Sequence, residues 1–249
     1  MEDPSITSVN TYNPVTPDWL NGPESERFPA SMEYWYPYLQ QVDVQTPTTS
    51  WVKLTPDVIE EGTINEMYWA DFDITEFKSA VSDVGGPPVF LKTDMAAAET
   101  SEESILTSLD EESIQLTSGS VIGHNTNAEI PFSSFAVREL LNTVSYESLD
   151  VEIRTIISTT GDVKKWGFYW PEKHVECSTS AYQQAREVAE NSGEDVIPLA
   201  QRVADRFESV SGVKEGWSVD FILTENNGWY CTDMAPARFS TQHETLMTL

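Results

Sequence analysis

The stretch from Trp217 to Asp233 reads WSVDFILTENNGWYCTD, and it decides how the rest of the chain is interpreted. It contains two apolar runs of the kind that form strands, joined by the turn sequence Asn226-Asn227-Gly228. Each run carries one carboxylate, Asp220 in the first and Asp233 in the second. Packed strands seldom contain aspartate, so the segment predicts an antiparallel hairpin whose acidic pair requires an explanation.

The length of the turn determines whether the two carboxylates meet. If Asn226 and Asn227 are the central pair of a tight turn, Asp220 lies directly opposite Asp233, and if the turn is shifted by one residue, Asp233 faces Ile222 with Asp220 one diagonal step away on the same face. Only an odd-length loop would separate them. Carboxylates about 5 to 8 Å apart repel unless a cation or a proton lies between them, and magnesium prefers such oxygen ligands. The alternative is a solvent-facing acidic pair.

The chain is acidic along its whole length. Its 249 residues include 41 Asp and Glu against 14 Lys and Arg, a formal net charge of -27, and 39% of them are hydrophobic. That apolar content suffices for one large core or two smaller ones. Diffuse acidity is typical of proteins adapted to molar salt, where the Debye length is about 3 Å. We therefore expect a halophilic source, cellular or viral, and no nucleic-acid partner, because basic patches are lacking.

Two further features bear on the class of protein. Cys177 and Cys231 are far apart and have no metal-ligand spacing, so a disulfide framework is not expected. The N-terminus has neither the charged nor the apolar segment of a signal peptide, and no apolar run reaches membrane-spanning length. These features predict a soluble, cytoplasmic protein without a membrane partner.

Hydrophobic periodicity predicts an α+β order of elements. In the first half we expect an extended arm over residues 1–30, a buried aromatic run at 34–39, a strand at 51–54, a helix at 72–84 capped by Asp73 and ended by Gly85-Gly86, a strand at 89–93, and a loop with at most one helix over 94–120. In the second half we expect strands at 134–140, 149–158 and 163–170, helices at 181–190 and 195–210, the latter capped by Asp195, and then the hairpin. Antiparallel hairpins dominate this second half.

Charged residues also interrupt the other predicted strands, which normally exclude them. They are Lys92, the pair Arg138-Glu139, and Glu152 with Arg154, which lie two apart and share a face. Lysine and arginine neutralise phosphate oxygens while aspartates hold a metal. Together with Asp220 and Asp233 they suggest a polyanion bridged by magnesium, with a nucleoside triphosphate as the candidate. The alternative is a set of salt bridges.

The order of these residues resembles the ATP-grasp superfamily. It runs from Lys92 through Arg138-Glu139, Glu152-Ile153-Arg154 and Val219-Asp220-Phe221 to the segment TDMAP at 232–236. The pattern is most similar to the eukaryotic cell-division-cycle ATP-grasp assembly-factor family, whose members have a strand lysine, an R-E hinge, an E-F-R triplet and a final D-x-N-P. The resemblance covers residues 75 to 240.

This resemblance implies a fold and a set of roles. The fold would be two α+β subdomains that grip ATP, with an N-terminal arm and partial pre-grasp domain at 1–70, a nucleotide-gripping subdomain at 71–140 and a metal-binding, catalytic subdomain at 141–249. The implied catalytic residues are Lys92, which contacts the nucleotide phosphates, and Arg154, which stabilises the phosphate being transferred. The implied nucleotide-binding residues are Lys92, Glu152 and the hinge of Arg138, Glu139 and Leu140, which would lie against adenine and ribose. The implied magnesium ligands are Asp220 and Asp233.

Two departures from the family pattern affect the expected chemistry. Ala235 stands where the closing motif has asparagine, which removes one oxygen ligand of a second metal. The loop at 94–101 lacks the glycines with which many ligases cover the phosphates. Asp94 is either an additional polar ligand or the salt-bridge partner of Lys92.

Three functions remain open at this point. The first is a magnesium-dependent ATP-grasp ligase that joins a carboxylate to an amine or thiol through an acyl phosphate. The second is an ATP-binding assembly factor that clamps a partner protein without ligation. The third is a structural protein of a halophile or its virus with a degenerate nucleotide fold. His124, His174 and His243 are widely spaced and form no catalytic triad, and the GxxxxGK and GxGxxG motifs are absent.

Overall fold

The computed structural model describes residues 31–54, 73–95, 102–127, 132–172, 175–207, 216–226, 228–237 and 246–248. The helices are α1 (Met32–Leu39), α2 (Ile74–Asp83), α3 (Glu111–Asn127), α4 (Thr179–Asn191) and α5 (Gly193–Phe207). The strands are β1 (Thr49–Lys53), β2 (Val89–Thr93), β3 (Ile105–Leu106), β4 (Ser134–Glu139), β5 (Ser145–Tyr146), β6 (Leu149–Asp150), β7 (Glu152–Ile157), β8 (Val163–Phe168), β9 (Trp217–Thr224), β10 (Gly228–Pro236) and β11 (Met247–Thr248). The expected α+β class is confirmed.

The first antiparallel sheet, sheet 1, has the strand order β1-β4-β2-β3. Its apolar side chains alternate along the strands, so Leu91 and Val137 pack in one core with Phe77 of α2 and Ile114 of α3. Asp73 caps α2 as predicted, accepting hydrogen bonds from two backbone N–H groups of the first turn. The same alternation turns Lys92 of β2 and Arg138 of β4 to the other face of the sheet.

The second antiparallel sheet, sheet 2, has the strand order β10-β9-β7-β8-β11. One face is covered by α4 and α5, and α1 packs on the same core through Trp35 and Leu39. The predicted apolar stripe of α5 is confirmed, with Val196, Ala200 and Val203 fully buried. The opposite face of sheet 2 carries the charged residues of β7, β9 and β10 and faces sheet 1.

The hairpin of β9 and β10 has the predicted pairing by an unexpected route. Thr224 pairs with Gly228, so the loop between them has an odd length. A β-bulge between Cys231 and Asp233 inserts one extra residue into β10, and Asp233 thereby lies directly opposite Asp220. The prediction that an odd loop separates the carboxylates was therefore wrong, because the bulge corrects the register.

Other differences concern helices with weak sequence signals. The one helix that the expected loop at 94–120 could contain is 17 residues long and continues to Asn127, and its N-terminus is capped by Asp110, whose carboxylate accepts a hydrogen bond from Ser113 N at 2.9 Å. The second predicted helix of the C-terminal half begins at Gly193, so Asp195 lies in its first turn and does not cap it. The predicted arm at 1–30 lies outside the described residues. Within the described ranges, no helix combines the length and the apolar character needed to cross a membrane.

Candidate functional site

The charged residues predicted from the sequence meet where sheet 1 faces sheet 2. Lys92 lies in β2 and pairs with Ala136 of β4, while Arg138 lies on the same face two residues along β4. Lys92 Nζ is 3.2 Å from Asp233 Oδ1, which belongs to β10 of the other sheet. The lysine side chain is 3% exposed and that of Asp233 is 24% exposed. This ion pair joins the two halves of the molecule.

Arg154 and Asp220 form the second ion pair, within sheet 2. The two residues are directly opposite each other on β7 and β9. Arg154 donates from Nε to Asp220 Oδ1 at 2.8 Å and from Nη2 to Asp220 Oδ2 at 2.7 Å. Burial lowers the pKa of Arg154, but the Asp220 carboxylate outweighs this effect, and the pKa is raised. The cations that the acidic pair requires are thus present in the chain itself, as Arg154 and Lys92.

Arg138 contacts both sheets. Its Nη1 donates to the backbone oxygen of Thr232 in β10 at 2.7 Å, and its Nε donates to Thr49 Oγ1 in β1 at 3.3 Å. Its Nη2 is buried and has no hydrogen-bond partner among the described residues. Burial lowers the pKa of this guanidinium, and the carboxylate of Asp233 opposes the effect. Arg138 thus lies near Lys92 and Arg154, the candidates for binding phosphate, as well as next to Glu139 of the predicted hinge.

Glu152 belongs to the same charged face as Arg154, because the two side chains are two residues apart on β7. Burial raises the pKa of Glu152 well above its usual range, and the charge of Asp220 adds to the rise. The raised pKa reduces the negative charge that Glu152 contributes beside Lys92 and Arg154. The cluster is therefore suited to an anion.

The remaining predicted residues lie outside this cluster. Glu139 accepts a hydrogen bond from Thr48 N at 3.0 Å, at the end of β4 beside β1. Leu140 follows the end of β4 and is half-buried. Asp94 accepts hydrogen bonds from Ser31 and from the backbone of residues 133 and 134, so it attaches α1 to sheet 1 and does not pair with Lys92.

Two participants in the site were missed from the sequence. Tyr169 lies with its ring centroid 4.3 Å from Arg154 Cζ, and Gly167, opposite Arg154, adds no side chain to that face. Thr232 is the extra residue of the bulge and supplies the carbonyl that binds Arg138. The alternation of the predicted strand at 163–170 places Gly167 and Tyr169 on one face, and this was the available signal for Tyr169.

The carboxylates of the site are compatible with a magnesium ion. Asp233 uses Oδ1 for both Lys92 and its neighbour Met234 N, which leaves Oδ2 without a partner among the described residues. Both oxygens of Asp220 accept from Arg154, yet each carboxylate oxygen has a second lone pair. Within the described part of the chain, no group of three or more His, Cys, Asp or Glu side chains could hold a metal ion. Magnesium commonly takes only one or two carboxylates when phosphates complete its shell.

Solved structures with the same fold include Cdc123. No protein-family model matches the chain, and no curated protein matches it. C-terminally truncated Cdc123 from Schizosaccharomyces pombe has 12% sequence identity, covers 83% of this chain and 83% of its own, and has a TM-score of 0.52. Cdc123 from the same organism has 13% identity, coverages of 83% and 82%, and a TM-score of 0.52.

An ATP-grasp structure is also similar to the chain. The RimK domain protein ATP-grasp from Sphaerobacter thermophilus has 12% identity, covers 85% of this chain and 60% of its own, and has a TM-score of 0.46. The likeness to the two Cdc123 structures is one of fold. It confirms the ATP-grasp-like architecture that the order of the charged motifs indicated.

The two acidic residues should contribute unequally to stability. Asp220→Asn removes the carboxylate that pairs with the buried guanidinium of Arg154, and we expect a loss of about 3 to 5 kcal/mol in the free energy of unfolding. Asp233→Asn should cost about 1 to 2 kcal/mol, because the lysine ammonium can lose its proton when its partner is removed and a guanidinium cannot. Urea denaturation of both variants at neutral pH measures the difference. Equal losses, or a larger loss for Asp233→Asn, would contradict the assigned pairing.

The raised pKa of Glu152 should make stability depend on pH. The folded protein holds this proton more tightly than the unfolded chain, so raising the pH above the ordinary glutamate range ionises the unfolded chain first and lowers the free energy of unfolding. The loss ends once Glu152 ionises in the folded protein. We expect Glu152→Gln to match the wild type at acid pH and to be more stable at neutral pH, in urea denaturation across that range. A variant that is less stable at neutral pH would show that the carboxylate is ionised and stabilising.

Proposed function

We propose that the protein binds ATP with magnesium between sheet 1 and sheet 2. The observation that carries this proposal is the convergence of Lys92 and Arg154 on the acidic pair of the hairpin, although the residues come from distant parts of the sequence. The ATP-grasp-like fold supports it. Buried cations are costly in a protein unless they are paired or bind an anion, and Lys92 and Arg154 are both buried.

The proposed roles follow from the contacts of each side chain. Lys92 and Arg154 bind phosphate oxygens and neutralise their charge. Asp233 holds magnesium through its open oxygen, and Asp220 contributes while it orients Arg154. Magnesium, when bound, neutralises the charge of the phosphate oxygens. Lys92 then exchanges Asp233 for phosphate, since its ammonium pairs with that carboxylate in this structure.

The nucleoside is assigned to the end of β4. Glu139 and Leu140 lie there, next to the cluster. The resemblance implies that this hinge contacts the adenine and the ribose. Glu152 lies on the phosphate side, on the face of Arg154. Its raised pKa favours a neutral carboxyl, which can donate a hydrogen bond to a phosphate oxygen.

The reaction that we propose first is the ATP-dependent ligation of a carboxylate to an amine or thiol. The carboxylate oxygen attacks the terminal phosphorus of ATP, and the bond to the ADP oxygen breaks, which gives an acyl phosphate. The amine or thiol then attacks the acyl carbon and releases phosphate, with one proton lost to solvent. The chain contributes alignment and charge neutralisation, through Lys92 and Arg154, and no covalent step.

A second candidate is an ATP-binding clamp for a partner protein that carries out no ligation. One observation favours it. Ala235 occupies the place where the motif has asparagine, and it pairs with Ser218 on β9, whose hydroxyl donates to the Ala235 carbonyl at 3.3 Å. The methyl group of Ala235 offers no oxygen to a second metal. Without that metal, less positive charge is available to stabilise the transfer of a phosphate, whereas the binding of the nucleotide does not require it.

Calorimetry of ATP binding, with and without magnesium and over a range of KCl concentrations, tests the proposed site. We expect the wild type to bind ATP more tightly with magnesium. Lys92→Met should weaken binding about 10- to 100-fold under both conditions, as expected for a charge-assisted contact. Asp233→Asn should lose the gain from magnesium without weakening magnesium-free binding, because a phosphate of bound ATP replaces the lost carboxylate as the partner of the Lys92 ammonium. A wild type that binds no ATP at any salt concentration would favour a structural protein with a degenerate fold.

Release of ADP separates the ligase from the clamp. For the ligase, we expect ADP release to require both a small carboxylate and an amine or thiol acceptor, and to be lost in Arg154→Met, which removes the charge near the phosphate being transferred. Arg186→Met, at a half-exposed ion pair of α4, is the control. If the protein binds magnesium and ATP but its release of ADP does not depend on an added carboxylate and acceptor, the result would favour the clamp.

A further inference from the structure

The position of Asp233 depends on a single extra residue. If the pairing of Thr224 with Gly228 continued in step, Thr232 would lie opposite Asp220 and Asp233 would lie opposite Val219. Val219 is fully buried in the core beneath the helices. Asp233 would then face apolar side chains and could not reach Lys92. The bulge at Thr232 is therefore the feature that turns Asp233 toward sheet 1.

The bulge is fixed from the opposite sheet. Bulges disrupt the ladder of hydrogen bonds locally, and here the Thr232 carbonyl accepts from Arg138 Nη1 at 2.7 Å. The hydroxyl of the same residue donates to the Asp220 carbonyl at 3.3 Å, within the hairpin. Arg138 is the partner from sheet 1, and its Nε reaches Thr49 in β1. The guanidinium thus links an edge strand of each sheet.

The burial of Arg138 is difficult to explain by charge pairing. The residue is 4% exposed, and no carboxylate of the described residues forms an ion pair with it. A buried arginine without a carboxylate partner is unfavourable unless its N–H groups are used. Its two assigned hydrogen bonds both go to neutral oxygens, and one of them is the bulge carbonyl. This geometry suits a group that holds backbone in place.

We infer that Arg138 is a positioning residue that holds the Thr232 bulge and thereby sets Asp233 for magnesium. This role rests on the proposed function as far as the metal is concerned, and it differs from a contact with adenine or ribose. Residues that support a metal ligand typically change metal affinity about 10- to 100-fold when they are replaced. A direct phosphate contact would instead act on ATP with or without the metal.

The test compares Arg138→Met, which removes the donors and the charge, with Arg138→Lys, which keeps a charged donor. Magnesium should raise the ATP affinity of Arg138→Met about tenfold less than it raises that of the wild type, and the affinity without magnesium should be unchanged. Arg138→Lys should keep most of the gain that magnesium gives to the wild type. Phe77→Leu, in the core of sheet 1, is the control for destabilisation alone and should leave the gain unchanged. Equal weakening of ATP binding with and without magnesium would overturn the inference.

Two further measurements separate this inference from the proposed function. In a double-mutant cycle, the effects of Arg138→Met and Asp233→Asn on the magnesium gain should not add, because both act through Asp233. Hydrogen exchange of the amides at 231–234, in the protein without nucleotide, should be faster in Arg138→Met than in Phe77→Leu. If the wild type binds no ATP, the proposed function fails, and this exchange alone decides the role of Arg138. Unchanged exchange in Arg138→Met would overturn it.

Discussion

The structure depends on the pairing of buried charge between two sheets. Each sheet places an apolar face against its own helices, and the opposing faces carry Lys92 and Arg138 on one side and Arg154, Asp220 and Asp233 on the other. Two apolar faces would join as a single core. Charged faces attract each other only where each cation meets an acceptor, because an unpaired buried charge is costly. The charged contacts between the sheets are therefore specific, and they are the reason why we propose a site for a charged ligand there.

The register of one hairpin controls this pairing. Side chains of a strand alternate between the two faces, so a shift by one residue moves a carboxylate from the charged interface into the core. An odd loop and a bulge cancel each other in β9 and β10, and the result is the same pairing that a tight even-numbered turn would give. The bulge adds a carbonyl that a simple turn would not provide, and Arg138 binds it. One inserted residue thus both orients the acid and connects the two sheets.

The sequence predicted the elements with strong periodicity and the residues with unusual chemistry. The stripe of α5, the cap at Asp73 and the strands that carry Lys92 and Arg154 all depend on local patterns, which a sequence contains. The helix α1 was missed because its aromatic residues and internal Pro37 are poor helix formers, and burial against the core outweighs that preference. Helix α3 lacks a clear apolar stripe, so its cap was the available sign.

The partners of the charged residues could not be obtained in the same way. Arg154 and Asp220 are opposite each other because β7 and β9 are neighbours in the sheet, although two helices separate them in the chain. The sequence showed a repelling acidic pair and suggested a metal, whereas the fold supplies a guanidinium and an ammonium. Such pairings are non-local, and local patterns do not specify them. The bulge is similar, since the arginine that binds it comes from another sheet.

The distribution of charge supports the proposal that this site binds an anion. Acidic residues outnumber basic ones by 41 to 14 over the whole chain, so the protein as a whole repels a triphosphate. Three of the few basic residues are nevertheless buried together at this one interface, where desolvation strengthens their attraction for an anion. Repulsion by the surface is screened by salt beyond about 10 Å at 0.1 M ionic strength, and contacts in the buried interface are screened much less. Short-range attraction can therefore outweigh the net charge, most readily when magnesium accompanies the phosphates.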